Sequence, residues 1–328
     1  MAQKPCSTMK FIRTILGDIP TEQIGLTYSH EHVVIDHCFA TDIHPEFLLN
    51  DFKKLKEELA VLKKLELSLM IDTMPVNAGR NPLLSAKLSV ETGIHLLVPT
   101  GIHQEKYYPR NHWRFQYTED QLSDLFIADI EEGIDRYDYN GPIVDRTSSH
   151  RAGMIKLATD EEPFTEHQEL IFRAVTNAHL QTGAPILTHT TNGTLALEQA
   201  KFFVKLGANL EHVVLSHVDR NPDSRYIEQV LDTGVSVEFD SAFRWKTPEN
   251  QTFTHLEKLL PKYPHQIVVG MDAARSSYWK SFGGKPGLDY LLTTFPEELK
   301  KRNLEEFYEL IFILNPRRIY SFTKTQNS

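Results

Sequence analysis

One stretch decides how this chain folds: PILTHTTNGTLALEQAKFFVKLGANLEHVVLSH, residues 185–217. It begins with a short apolar run at Pro185–Thr188 and ends with another at His212–Ser216, and both runs are typical of buried strands. The segment between them, Thr194–Leu206, has helical spacing and ends at Gly207, a residue type that commonly follows a helix C-terminus. Strand, helix and strand in this order predict two parallel strands joined by a crossover helix.

Six further apolar runs bring the chain to eight strand candidates. They are Leu26–Ile35, Leu69–Thr73, His95–Thr100, Met154–Leu157, Val235–Phe239 and Ile267–Gly270. Near-continuous apolar strands that alternate with helices indicate a parallel sheet covered on both faces. Eight such units in 328 residues favour an α/β fold of the closed (β/α)8 TIM-barrel type. An open doubly wound sheet is the alternative, although no G-x-G-x-x-G follows the first strand.

Three other segments have the apolar spacing of helices. Phe47–Leu67 carries Leu and Val at intervals of three and four, and Thr165–Gln181 offers Thr165 as its N-cap. Pro222–Asp232 follows Asn221, which predicts Asn221 as an N-cap with proline at the first helical position. These helices fit the connections that a parallel barrel requires.

Composition and charge narrow the class of protein. The chain is 41% hydrophobic and 24% charged, as globular proteins are, and no linker interrupts it, so a single domain is expected over residues 1–328. A net charge of -9 argues against nucleic-acid binding. No apolar window of about 18 residues suggests a membrane span. Cys6 and Cys38 provide no disulfide framework and the N-terminus has no apolar leader, which predicts a cytoplasmic location.

Histidines mark the ends of several predicted strands. His30 and His32 stand two apart on the first strand, so their side chains point to the same side. His189 and His217 each end a very apolar run. The C-terminal ends of barrel strands meet in one ring, and histidine is the commonest metal ligand. Each feature alone also fits a buried histidine held by hydrogen bonds, but their recurrence predicts a shared metal site.

Lys156 lies inside the apolar strand Met154–Leu157, where burial lowers a lysine pKa and makes a neutral amine available. That amine suits a Schiff base with a carbonyl substrate, or a carbamate whose oxygens bridge two cations. A lysine whose head reaches solvent is a third interpretation, but the histidines at other strand ends favour the carbamate. Asp272, after the eighth strand, suits a metal ligand that accepts a proton from water, or a helix N-cap.

The order of these residues resembles that of the amidohydrolase superfamily, specifically its phosphotriesterase-like group, over most of the barrel. The resemblance implies a binuclear centre with the ligands His30, His32, Lys156, His189, His217 and Asp272. The first two histidines and the aspartate would bind a more buried ion, and the other two histidines a more exposed one. The lysine, carboxylated by carbon dioxide, would bridge them, and Asp272 would carry the proton in catalysis. Zinc is the expected metal, with manganese or cobalt as alternatives.

Basic side chains follow strands seven and eight, where barrels frequently bind phosphate. Arg244 and Arg275 offer paired N–H donors and Tyr278 a hydroxyl, which together predict a phosphate site. The segment Met271–Trp279, with Gly283-Gly284 and Pro286-Gly287 after it in the long segment Ala273–Gly287, is similar to a subgroup that hydrolyses phosphorylated sugar lactones. Arg244 stands where that subgroup has lysine. The implied substrate is small and anionic, a five-carbon 1,4-lactone 5-phosphate. The long segment Gln104–Phe115, after strand three, is expected on the same face.

The resulting hypothesis is lactone hydrolysis by a metal-bridging hydroxide, with Asp272 passing the proton to the departing ring alkoxide. A phosphotriesterase or an acyl-lactone hydrolase with the same metals is an alternative, because one fold supports many substrates. A Schiff-base aldolase acting through Lys156 and a non-catalytic metal-bound scaffold are less expected. The sequence leaves open whether two barrels pair through their outer helices as a homodimer.

Overall fold

The computed structural model describes residues 9–146, 149–161, 164–245 and 250–324, so Cys6 lies outside the described residues. The strands of this part are β1 (Met9–Thr14), β2 (Gly17–Pro20), β3 (Leu26–Glu31), β4 (Leu67–Asp72), β5 (His95–Leu97), β6 (Pro99–Gly101), β7 (Met154–Ala158), β8 (Ile186–His189), β9 (Val213–Ser216), β10 (Ser236–Phe239), β11 (Ile267–Val269) and β12 (Phe322–Lys324). Its helices are α1 (Phe39–Ile43), α2 (Phe52–Lys64), α3 (Pro82–Thr92), α4 (Glu119–Glu131), α5 (Glu166–Thr182), α6 (Ala196–Leu206), α7 (Ser224–Leu231), α8 (Gln251–Leu259), α9 (Tyr290–Lys301) and α10 (Asn315–Ile319).

Strands β3 to β11 form a closed parallel barrel of eight positions, because β5 and β6 are two segments of one strand separated by Val98. Parallel ladders join β3, β4 and β5, and join β6 through β11 in chain order. The last strand meets the first where the N–H groups of Met271 and Asp272 donate to the His30 carbonyl oxygen, at 3.2 and 3.0 Å. Helices α2 to α9 each follow one strand position, so the predicted (β/α)8 barrel is confirmed.

The barrel interior is apolar at one end and polar at the other. The apolar layer consists of Leu69, Ile71, Leu97, Met154, Leu187, Val214 and Val268, which pack with Ile12, Ile24, Ile319 and Tyr320 from outside the barrel strands. Side chains two apart on a strand point to the same side. Because Met154 belongs to this layer, Lys156 also points into the barrel interior, nearer to the C-terminal mouth. The same relation holds for Leu187 and His189. The layer therefore closes the N-terminal end and leaves polar groups at the C-terminal mouth.

A small antiparallel sheet covers the closed end. β1 pairs with β2 in a hairpin and with β12 near the C-terminus. The Tyr320 hydroxyl donates to the Ser29 carbonyl oxygen at 3.0 Å, which attaches this cover to the first barrel strand. No helix in the described part of the chain combines the length and apolarity needed to cross a membrane.

Some predicted element ends are wrong by several residues. The first strand ends at Glu31 rather than Ile35. The helix predicted from Phe47 begins only at Phe52, because the Asp51 carboxylate accepts backbone N–H groups of the first turn and so caps the helix there. The same prediction ends the helix at Leu67, but α2 ends at Lys64 and strand β4 starts at Leu67.

Helix caps explain two further outcomes. The Thr165 side chain accepts the Gln168 N–H and caps α5 as predicted. The prediction that Asn221 caps the helix Pro222–Asp232 is wrong. The corresponding helix, α7, starts at Ser224, because the Asp223 side chain accepts the Arg225 N–H at 2.9 Å. Gly207 ends α6 in the left-handed conformation that glycine adopts without steric cost.

Candidate metal centre

Six side chains from five barrel strands converge at the C-terminal mouth. They are His30, His32, Lys156, His189, His217 and Asp272. Five of them line a cavity of about 210 Å³. The ring of the sixth, His217, lies against it, with its centroid 4.4 Å from that of His189 and 4.8 Å from that of His30. The structure thus brings together all six residues that were predicted to be metal ligands.

Asp272 lies at the centre of this group. Its Oδ1 atom is 3.0 Å from His32 Nε2 and 3.7 Å from His30 Nε2. One ligand atom from each of these three residues lies within 4.8 Å of the others, and the same holds for His30, His217 and Asp240. Distances of this size allow one cation to contact all three donors of a group, since Zn²⁺ binds nitrogen and oxygen at about 2.0–2.2 Å.

Two buried carboxylates orient two of the histidines from behind. Glu238 Oε2 accepts from His30 Nδ1 at 2.8 Å, and Asp240 Oδ2 accepts from His217 Nδ1 at 2.6 Å. Each contact leaves the Nε2 atom of the imidazole for another partner. Histidines that bind metals usually donate their other ring nitrogen to such a carboxylate, which sets the tautomer and the ring orientation.

The protonation states of these side chains suit a cation. Burial is the main reason why the pKa values of His30, His189 and His217 lie below the ordinary value, so the imidazoles are neutral. Burial acts to raise the Asp272 pKa, but the positive guanidinium groups of Arg244 and Arg220 outweigh it and hold that pKa well below the ordinary value. Neutral imidazole and ionised carboxylate are the forms that bind metal ions. The residues present therefore fit a metal centre.

Lys156 is almost fully buried, with 1% of its surface exposed. Burial lowers its pKa to about 8, although Glu238 and Asp272 act in the opposite direction. The adjacent strand approaches its backbone closely: a Cβ atom at Gly101, where φ is +101°, would overlap the Lys156 carbonyl group. Only glycine fits this position, because a larger residue would displace the backbone of Lys156 from the cavity wall.

Two of the six residues have strained backbones. His217 has φ +65° and Asp272 has φ +50°, in the left-handed region that residues other than glycine rarely adopt. Each such residue costs roughly 1–3 kcal/mol, and such strain clusters at functional sites. In both cases the chain turns sharply at the end of a barrel strand, which directs the side chain across the mouth.

The three residues of the predicted phosphate site line the same cavity: Arg244, Arg275 and Tyr278. The Arg244 guanidinium lies 5.2 Å from the Tyr278 ring centroid and donates to Asp272 Oδ2 at 3.0 Å. Arg275 is more exposed, and its guanidinium lies 5.5 Å from the Phe47 ring centroid. Arg244 therefore lies between the carboxylate and the outer wall, while Arg275 occupies the rim.

Sequence reasoning missed several residues of this site. Glu238 lies on β10 and Asp240 directly follows it, and the two are separated by the same spacing that predicts a shared side for His30 and His32. That signal was available, because two carboxylates on one apolar strand are unusual. Arg220 and His103 also line the cavity, but only the folded chain reveals their positions.

Comparisons with known proteins agree with this geometry. The model of the phosphotriesterase family matches residues 10–320. A phospho-furanose lactonase from Mycoplasmopsis synoviae is 32% identical over 97% of this chain and 94% of its own length. The crystal structure of an amidohydrolase from Mycoplasma synoviae superimposes with a TM-score of 0.91 at 31% identity, covering 97% of this chain and 94% of the other. A lactonase from Listeria monocytogenes gives 0.85 at 29% identity, covering 96% and 100%.

Proposed function

The chain belongs to the phosphotriesterase family and is an ester-hydrolysing enzyme, and from this premise we propose that it is a metal-dependent lactonase for a phosphorylated five-carbon sugar lactone. One observation carries the proposal. Arg244, Arg275 and Tyr278 line the same small cavity as the candidate metal ligands, so one small molecule can contact both groups at once. The similarity to phospho-furanose lactonases supports the same substrate class.

The proposed metal centre holds two divalent cations, with zinc expected and manganese or cobalt as alternatives. His30, His32 and Asp272 would hold one cation, and His189 and His217 the other, with carboxylated Lys156 between them. When bound, such cations lower the pKa of a water molecule and polarise a carbonyl group. The partly neutral amine of Lys156, with its pKa lowered to about 8, favours the reaction with carbon dioxide that forms the carbamate.

Asp272 is the proposed proton carrier. Its carboxylate is ionised and held by Arg220 and Arg244 on Oδ2, at 2.6 and 3.0 Å, so its Oδ1 atom faces the histidines. A carboxylate in this position can accept the proton of the attacking water and deliver it to the alkoxide that leaves when the ring opens. The contacts from two arginines keep it oriented between these steps.

Arg244, Arg275 and Tyr278 are proposed to hold the substrate phosphate. Guanidinium groups form paired, charge-assisted hydrogen bonds with phosphate oxygens, and the Tyr278 hydroxyl adds a third donor. Binding energy from this remote group would orient the lactone carbonyl toward the metal centre. A local cluster of positive charge suits an anionic substrate even though the whole chain has a net charge of -9.

A second candidate is an acyl-lactone hydrolase with the same metal centre. Apolar side chains occupy one part of the cavity wall, namely Ile35, Ala40, Phe47 and Met74. These residues would suit an aliphatic chain rather than a phosphate. The two candidates differ in whether the substrate is charged.

The experiment compares kcat/KM for a five-carbon 1,4-lactone with and without its 5-phosphate, using metal-loaded protein. We expect the phosphorylated lactone to be preferred, and Arg275→Gln to raise its KM at least tenfold while changing the neutral lactone little. Arg225→Gln removes an exposed arginine of α7 and serves as the matched control. Equal effects of Arg275→Gln on the two lactones would reject the phosphate assignment, and a preference for long acyl lactones would favour the second candidate.

A further inference from the structure

Arg220 contacts both halves of the candidate metal centre. It ends the short helical turn Val218–Arg220 that directly follows His217. Its Nη2 atom donates to Asp240 Oδ1 at 2.8 Å and to Asp272 Oδ2 at 2.6 Å. Its Nε atom donates to Ser241 Oγ at 2.8 Å. The guanidinium is thus held on two sides.

Each carboxylate bound by Arg220 uses its other oxygen for a histidine. Asp240 Oδ2 accepts from His217 Nδ1 at 2.6 Å, and Asp272 Oδ1 lies 3.0 Å from His32 Nε2. A continuous series of contacts therefore runs from His217 through Arg220 to His32. Its members follow the three consecutive strands β9, β10 and β11 and the first barrel strand β3, so no single strand sets the spacing between these histidines.

We propose that Arg220 is a positioning residue that sets the separation and orientation of the two cation subsites, a role that rests on the function proposed above. Arg220 binds one oxygen of Asp240 and one of Asp272. The other oxygen of Asp240 is thereby left for His217, and the other oxygen of Asp272 for His32. Arg244 also contacts Asp272 Oδ2, at 3.0 Å, but among the described residues only Arg220 forms hydrogen bonds with both carboxylates. Arg220 contacts the carboxylates through Nη2 while its Nε fixes the plane of the guanidinium against Ser241, and the single nitrogen of a lysine does not supply this second, fixed donor.

The charge distribution agrees with this role. Asp240 and Asp272 both accept from Arg220 Nη2, so their negative charges lie close to each other and repel. The positive charge of the Arg220 guanidinium lies between the two carboxylates and offsets this repulsion. The Arg220 side chain is only 21% exposed, which limits solvent screening of these contacts.

The test measures Zn²⁺ content and Zn²⁺ affinity, by elemental analysis and chelator competition, in full-length protein. Groups that orient metal ligands typically contribute 10- to 100-fold to metal affinity. We expect Arg220→Met to weaken Zn²⁺ binding at least tenfold and to reduce the content from two ions per chain toward one. Arg220→Lys keeps the charge but not the geometry, so its Zn²⁺ affinity should lie between that of Arg220→Met and that of the wild type. Arg225→Met, on the exposed surface nearby, should leave affinity unchanged.

A second variant separates this role from loss of folding. Ser241→Ala removes the partner of Arg220 Nε but keeps the guanidinium, and we expect a few-fold weaker Zn²⁺ affinity with an unchanged circular dichroism spectrum. If Arg220→Met does not fold, Ser241→Ala and Arg220→Lys decide the question. Wild-type affinity in every folded variant would overturn the positioning role, as would a raised KM for the phosphorylated lactone with unchanged Zn²⁺ affinity. A wild-type chain that binds no Zn²⁺ would instead overturn the proposed function.

Discussion

Glu238 Oε2 lies 2.8 Å from His30 Nδ1, although the two residues are 208 positions apart in the chain. Both side chains are buried, so the contact holds the imidazole with Nε2 toward Asp272. Replacing Glu238 with glutamine keeps the size of the side chain but puts an amide, a weaker acceptor, in place of the carboxyl group that accepts from His30 Nδ1. We expect Glu238→Gln to lower Zn²⁺ affinity about tenfold, measured by chelator competition.

Glu58 provides the matched control for Glu238. It is also a buried glutamate, but its carboxylate accepts the backbone N–H groups of Ser281 and Leu288 outside the metal cluster. Glu58→Gln should reduce the free energy of unfolding by about 1–3 kcal/mol, the cost of weakening charge-assisted hydrogen bonds, while Zn²⁺ affinity stays at the wild-type level. Equal metal affinity in both variants would contradict the orienting role of Glu238.

Lys156 should carry one molecule of carbon dioxide in the metal-loaded protein. Its pKa of about 8 makes part of the amine neutral near neutral pH, which is the form that reacts with carbon dioxide. We expect native mass spectrometry to detect the added mass, and expect reconstitution with Zn²⁺ to be faster when bicarbonate is present. Lys156→Met should lack both effects and lose Zn²⁺. A Lys156→Met protein with full metal content would reject the bridge.

Asp72 should make the free energy of unfolding depend on pH, independently of any substrate. Burial raises the pKa of this carboxyl from 3.8 to about 7, and its two contacts with the N–H groups of Val34 and Met74 are long, at 3.3 Å each. The folded state therefore binds the proton more tightly than the unfolded state. Its contribution to stability is complete below the unfolded pKa and decreases as the pH rises toward the folded one.

Asparagine cannot ionise, so Asp72→Asn should remove this dependence. We expect the free energy of unfolding of the variant, relative to wild type, to increase by about 3 kcal/mol between about pH 5 and pH 8, since each pH unit between the two pKa values contributes about 1.4 kcal/mol. Denaturant titrations at the two pH values measure the difference, in which other titrating groups cancel. A constant difference would mean that Asp72 is ionised throughout this range.

Gly270 should tolerate no side chain, because the barrel closes there. A Cβ atom at this position would lie 2.6 Å from Glu238 Oε1 and 2.8 Å from the backbone nitrogen of His30. Gly270→Ala should therefore displace the contact between Glu238 and His30, lower Zn²⁺ affinity and lower the melting temperature. Gly25→Ala, whose new Cβ would come no closer than 3.3 Å to Ser68 Cβ, is the comparison and should retain metal. Similar behaviour of the two variants would contradict the crowding at Gly270.

The sequence predicted the barrel because each strand is a short apolar run, and this signal is local. All eight predicted strands correspond to barrel strands of the structure, with β5 and β6 sharing one prediction. The ends of the helices and strands were less predictable. The apolar spacing of α2, for example, extends back to Phe47, but the Asp51 side chain caps the helix and so sets its start at Phe52. The three-stranded sheet of β1, β2 and β12 was not predicted, since β12 lies at the other end of the chain from β1.

The candidate site divides in the same way. His189 and His217 were predicted because each ends an apolar run, and their roles as ligands stay predictions. The spacing of Glu238 and Asp240 is a signal from which both could be predicted, but the apolar run Val235–Phe239 by itself predicts only a strand. Arg220 gives no such signal, because its partners Asp240 and Asp272 reach it only after the barrel has closed.

The central claim is that six side chains from five strands surround two cations at the barrel mouth. Anomalous diffraction from crystals of Zn²⁺-loaded, bicarbonate-treated protein tests it most directly. We predict two peaks, one in contact with His30, His32 and Asp272 and the other with His189 and His217, joined by density extending from Lys156. Absence of peaks in the cavity, or a peak bound by other residues, would contradict the account.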